Sequence, residues 1–207
     1  MVLDYDDMLD HVRNTLEDND KRRPNNPNHQ FRDRFMHTKR VVAWSKRLMT
    51  DYKDLNQEVI ITACIFHDVG YAFDKKDHAI YSAKIFVDYA NAHGFDRNFI
   101  KDVEWIILNH SDKALLKTTD NHNFIIVLEA DLLDEEGALG ILWDLLAAGK
   151  KNATSYYQAL EELDKHSLHI LNQDIMVSKS ARYFWSEKKE LVRDFMDQIR
   201  ADLFLEE

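Results

Sequence analysis

The sequence predicts an all-α chain, and three observations carry that expectation. Apolar residues recur at spacings of three and four along almost the whole length. Only five glycines and two prolines interrupt 207 residues, and both prolines fall between Arg22 and Gln30. No stretch alternates apolar with polar residues as a half-buried strand would. A content of 45% hydrophobic and 11% aromatic residues is enough to build a core without disulfides.

Taken in order, Tyr5, Met8, Leu9, Val12 and Leu16 mark a first helix. It stops before a charged, Pro- and Asn-rich stretch over 18–30, which reads as a loop. Seven segments of helical periodicity follow, at about 37–50, 57–68, 78–93, 97–110, 123–147, 154–171 and 180–204. Gly94 is placed to stop a helix, while Gly137 and Gly140 leave the segment 123–147 as either one helix or two. The whole is a single bundle of about seven or eight helices spanning 1–207, with neither an internal repeat nor a linker. In the last segment the stripe Phe184, Leu191, Val192, Phe195, Ile199, Leu203 reads as core or dimer packing.

A formal charge of −10 argues against a general nucleic-acid surface, which needs a clustered positive face. A small anionic substrate is still compatible, because a bound cation and a few basic side chains reverse the field within one cleft. The single cysteine, Cys64, cannot form an intrachain disulfide, and the first residues are acidic where a secretory leader is basic and then apolar. No apolar run is long enough to span a bilayer. These features point to a cytoplasmic protein, away from membranes, with homo-oligomerisation left open.

Polar residues on the apolar faces carry the functional signal. His37 lies in line with Val41, Trp44 and Leu48, His67 in line with Ile60, Ala63 and Cys64, and Asp68 stands beside it. His110 ends the stripe Phe99, Val103, Ile106, Ile107, and Asp131 ends Phe124, Val127, Leu128. One such histidine is ordinarily a hydrogen-bonded core residue. Four helices doing so together, with carboxylates among them, fit a shared divalent cation better, because a buried carboxylate needs a partner or a metal.

The order His37, His67-Asp68, Asp131 resembles the H…HD…D signature of the HD superfamily of metal-dependent phosphohydrolases. Arg34-Phe-Met-His37-Thr-Lys-Arg-Val41 resembles the opening of that family's motif, and Ala63-Cys-Ile-Phe-His67-Asp68-Val-Gly70 its helix end. Glu129-Ala-Asp131-Leu-Leu-Asp134-Glu-Glu-Gly137 is similar to a segment of a bacterial subgroup. The resemblance covers about 31–140 and implies one HD-type domain, with a helical extension over about 154–204. It also implies that His37, His67, Asp68 and Asp131 hold the metal. His78, in a segment similar to the family's H-x-x-x-[GS]-A, and His110 would either hold a second metal or act on the substrate phosphate as cations or proton donors. Two departures narrow the substrate: Tyr71-Ala72 replace the Glu-Asp pair of the alarmone hydrolases, and the G-Y-P extension of the cyclic-dinucleotide phosphodiesterases is missing.

The implied activity is hydrolysis of a phosphate ester or anhydride, in a nucleotide or related small metabolite, with one or two divalent ions (Mn, Fe, Co, Ni, Mg or Zn). Asp68, His78 and His110 are the candidate catalytic residues and Arg34 the candidate phosphate contact, while Asp134 is either a helper of the ligand set or an exposed carboxylate. A di-iron oxygenase of the same fold and a non-catalytic nucleotide sensor are the alternatives.

Overall fold

The computed structural model describes residues 3–22, 33–150 and 154–203, and among these there is no strand. The rest of the loop over 18–30 beyond Arg22, with Arg23 and His29, lies outside the described residues, as do the side chains of Lys21 and Arg22. Two compact units organise the chain, Met1–Asp131 and Leu132–Glu207.

The first unit contains α1 (Tyr5–Arg22), α2 (Arg34–Leu48), α3 (Gln57–Phe66), α4 (His78–Ala92), α5 (Arg97–Asn109) and most of α6 (His122–Glu135). Short polar side chains start α2, α3 and α5 by accepting the first free amides: Asp33 from Met36, Asn56 from Val59, and Asp96 from Asn98 and Phe99. Helix α1 continues through Arg22, five residues beyond Glu17, because nothing before Pro24 forces it to end. Gly94, at φ +68°, closes α4 as expected.

Helix α3 is the centre of this unit. Val59, Ile60, Thr62, Ala63, Cys64, Ile65 and Phe66 are all buried, and a helix apolar all round must lie inside. Helices α1, α2, α4 and α5 pack against it. At its end Phe66 meets Phe86 edge-on at 5.4 Å and Tyr89 at 5.2 Å. His11 packs 5.0 Å from Tyr89 and 6.1 Å from Phe66, an aromatic setting that its polar sequence neighbours conceal, and burial pushes its pKa down.

In the second unit the break after α6 falls at Gly137, at φ +79°, so the segment over 123–147 is two helices, with α7 spanning Ala138–Lys150. Helix α8 (Tyr156–Leu163) passes through a widened π turn (Asp164–Leu168) into the short α9 (His169–Leu171). That turn is pinned to α7 by the Ser167 amide and hydroxyl, which donate to Asp144 Oδ2 at 3.1 and 2.7 Å. Gly140 leaves the room this needs, since a Cβ there would lie 2.8 Å from Ser167 Oγ. In α10 (Lys179–Asp202) the buried stripe is Ala181, Trp185, Val192 and Met196, and Leu191 is exposed. The inward face is therefore turned by about one position from the stripe read in the sequence. Asp134 is also buried, not an exposed helix carboxylate.

Burial pushes the Cys64 thiol up to about 12, and the thiolate is the reactive form. We therefore expect no labelling of native protein by a thiol reagent at pH 8 and one equivalent after unfolding. Rapid labelling of the native chain would show that α3 is not the closed centre described here.

Candidate metal centre

Two groups of three side chains in the first unit converge so that their donor atoms lie within 4.8 Å of one another: His37, His67 and Asp131, and Asp68, His78 and His110. In the first, His37 Nε2 stands 3.2 Å from His67 Nε2 and 3.1 Å from Asp131 Oδ1, and His67 Nε2 is 3.6 Å from the same oxygen. In the second, His78 Nε2 and His110 Nε2 are 3.1 Å apart, at 3.5 and 3.3 Å from Asp68 Oδ1. Asp68 joins the groups. Its other oxygen, Oδ2, is 3.4 Å from His37 Nε2 and 3.7 Å from His67 Nε2.

The helices explain the convergence. His37 and Asp131 project from within α2 and α6, whereas His67 and His110 are the capping residues at the ends of α3 and α5. Helix α3 thus stops at Phe66, and Asp68 begins a 3₁₀ turn over Val69–Ala72. Gly70 brings that turn onto α4. A Cβ at Gly70 would lie 2.0 Å from the His78 carbonyl oxygen, and the Gly70 amide donates to Ser82 Oγ at 2.8 Å. This close approach is what brings His78 within reach of Asp68.

The donor chemistry fits cations. The Nδ1 atoms of His67, His78 and His110 face the backbone carbonyls of Cys64, Lys75 and Ile107 at 2.8, 3.0 and 2.6 Å. A carbonyl only accepts, so Nδ1 carries the hydrogen and the neutral ring presents a lone pair at Nε2. Two lone pairs 3.1 Å apart repel. Asp131 Oδ1 is buried and receives no hydrogen bond of good geometry. A proton relieves one such pair, while a divalent ion satisfies three donors at once.

The electrostatics agree. Burial opposes ionisation of Asp68, yet His67 and Arg34 hold its carboxyl well below the usual carboxylate range. Asp131 is buried too and is held low by His37 and His67. Burial lowers the pKa of His78, whereas at His110 the hydrogen bond and charge of Asp68 outweigh burial and raise it.

Arg34 Nη1 donates to Asp68 Oδ2 at 2.5 Å, and its guanidinium lies 3.7 Å over the Tyr71 ring. Tyr71 is in turn 4.2 Å from the His78 ring. Arg34, His37, His67, Asp68, His78, His110 and Asp131, singled out in the sequence for this site, are thus brought together. The sequence reading assigned no role to Tyr71, to Ser82, or to Ser111, whose Oγ lies 3.4 and 3.3 Å from the Nε2 atoms of His78 and His110. The available signal was that Ser82 and Ser111 lie within the motif segments of His78 and His110, and that Tyr71 directly follows Gly70.

The family model for the HD domain matches residues 34–149, and the chain belongs to that family. Among solved structures, an HD-superfamily hydrolase from Bacillus thuringiensis superposes with a TM-score of 0.73 at 19% identity, covering 98% of this chain and 97% of that one. The Lin1889 protein from Listeria innocua gives 0.68 at 20% identity, over 99% and 100% of the two chains. Bacillus subtilis YpgQ in complex with ADP gives 0.65 at 19%, over 96% and 94%. At such identities these likenesses establish the fold. Curated proteins give no sequence match.

Gly70→Ala forces the 3₁₀ turn and α4 apart. The expected cost is about 2 kcal/mol or more, or roughly 4–8 °C in Tm for a chain of this size, together with weakened divalent-ion binding in calorimetry. An unchanged Tm and unchanged ion binding would show that the contact does not position His78.

Proposed function

We propose that this chain is a metal-dependent phosphohydrolase that cleaves a phosphate ester or anhydride in a nucleotide or related small metabolite, acting in the cytoplasm. The observation that carries the reading is the pair of His/Asp triads joined by Asp68, with Arg34 against the same carboxylate. Two ions are favoured over one, because each triad has its own pair of facing Nε2 atoms and Asp68 turns one oxygen toward each. His37, His67 and Asp131 would hold one ion, and His78 and His110 the other. Divalent ions at these places supply the Lewis acidity that ionises water near neutral pH and offsets phosphate charge.

The chain's own part is to position and to neutralise. Asp68 and Asp131 stay ionised in a dry setting, and backbone carbonyls fix the imidazole tautomers. The Asp68 carboxylate would orient the attacking water, and His78 and His110 would hold the second ion beside the phosphate. Arg34, lying over the Tyr71 ring, presents a guanidinium beside Asp68, where it would steer a phosphate oxygen. A nucleotide is favoured as substrate class by the ADP held in the similarly folded YpgQ.

The test compares elemental content and metal-supplemented phosphate release for wild type and His67→Ala, across nucleotides and phosphomonoesters. Changing residues that merely support ligands typically costs 10–100-fold, so loss of a ligand should lower turnover by at least about a hundredfold, with metal content falling alongside. Undiminished release by metal-stripped protein would overturn the reading. Bound iron with O₂ consumption and no phosphate release would replace it with the oxygenase.

A further inference from the structure

Beside the metal centre an aromatic pair stands in solvent. The rings of Phe73 and Tyr81 are stacked, with centroids 5.7 Å apart and planes 19° from parallel. They are 38% and 40% exposed, although large aromatic side chains contribute most when covered. Stacking on each other covers only part of each ring.

Both residues are tied by very short stretches of chain to the second triad. Phe73 caps the 3₁₀ turn that begins directly after Asp68, its amide donating to the Gly70 carbonyl at 2.9 Å. Tyr81 is one turn beyond His78 on α4, a spacing that puts the two side chains on neighbouring positions of one helix face. Between the two rings in sequence lie the exposed Lys75 and Lys76, flanked by Asp74 and Asp77, so two cations balance two carboxylates in a chain whose net charge is −10. The backbone of Lys75 itself holds His78 Nδ1. Metal donors, ammonium groups and an open aromatic stack therefore occupy one 14-residue stretch, 68–81.

We infer that Phe73 and Tyr81 form the docking platform for the planar ring of the phosphorylated substrate, which places the substrate class among ring-bearing phosphates. The inference rests on the phosphohydrolase reading, since that reading puts phosphate at the metal centre and leaves the remainder of the molecule to be held nearby. A flat heteroaromatic ring laid on the exposed stack covers one of its outer faces, and Asp68 and His78, close in sequence to the two rings, mark where its phosphate would lie. Because every nucleobase has a π face, such a platform separates phosphates with a ring from those without one and discriminates weakly among bases.

The experiment compares ATP with inorganic tripolyphosphate, which carries the phosphates and no ring, for wild type, Phe73→Leu, Tyr81→Ala and the conservative Tyr81→Phe. Phe73→Leu keeps apolar bulk and so guards against misfolding. The ratio of KM for ATP to KM for tripolyphosphate should rise about tenfold in Phe73→Leu and Tyr81→Ala, with kcat on ATP little changed, and Tyr81→Phe should restore the wild-type ratio. In parallel, the fluorescence of etheno-ATP should be quenched on binding wild type and less so on binding the variants, a readout that needs no turnover. A ratio that stays constant, or a change in oligomeric state by light scattering in its place, overturns the platform. Absence of phosphate release from both compounds by wild type, with etheno-ATP quenching intact, would overturn the phosphohydrolase reading and leave the ring site standing.

Discussion

Six donor groups that would each prefer water are packed into one dry place, and their mutual repulsion is the constraint that the first unit is built around. The Asp68 carboxylate is the point of balance. One of its oxygens faces two imidazole nitrogens and the Arg34 guanidinium, and the other faces two more imidazoles. Removing a buried charge that several partners share leaves each of them uncompensated, so energies within such a cluster do not add. The neighbouring rings serve the same balance. Tyr71 lies against both Arg34 and His78, keeping a cation and an imidazole on opposite sides of one carboxylate from drifting toward solvent.

The fold meets this constraint by using helix ends. His67 and His110 take the capping position at the ends of α3 and α5, where the backbone turns and a carbonyl three residues back receives Nδ1. The same local geometry is used twice, which gives both rings the same tautomer. His78 obtains an equivalent partner at the other end of a helix, from the Lys75 carbonyl just ahead of α4. Orientation of these three histidines is thus written in main-chain hydrogen bonds close in sequence to each of them, and the apolar packing around α3 has only to bring the ends together.

Much of this was legible in the sequence because it is periodic. An all-α chain, its segment positions and a shared inward face for His37, His67, His110 and Asp131 follow from a repeat near 3.6 residues. What was not legible is set by tertiary contact. Nothing local says that α1 should continue through Arg22, or that α10 should bury Trp185 and Met196 while exposing Leu191. Nor does spacing reveal which atoms of His78 and Asp68 meet, since their separation depends on how closely Gly70 allows two backbones to approach. The roles of Tyr71 and Ser82 share that origin: each acts across a contact between elements.

The approach of Gly70 to α4 makes the distance between the two halves of the cluster a property of a helix position. The turn carrying Asp68 leans on the His78 carbonyl and hangs from Ser82 Oγ, so α4 acts as a lever with its short arm at His78. A slight tilt of its far end, near Tyr89 and Ala90 in the core, would be delivered to His78 and to the Asp68 peptide together. Residues well away from the two triads could in this way tune the separation between them, and a lineage adjusting its site would have a control that leaves all six donor side chains untouched.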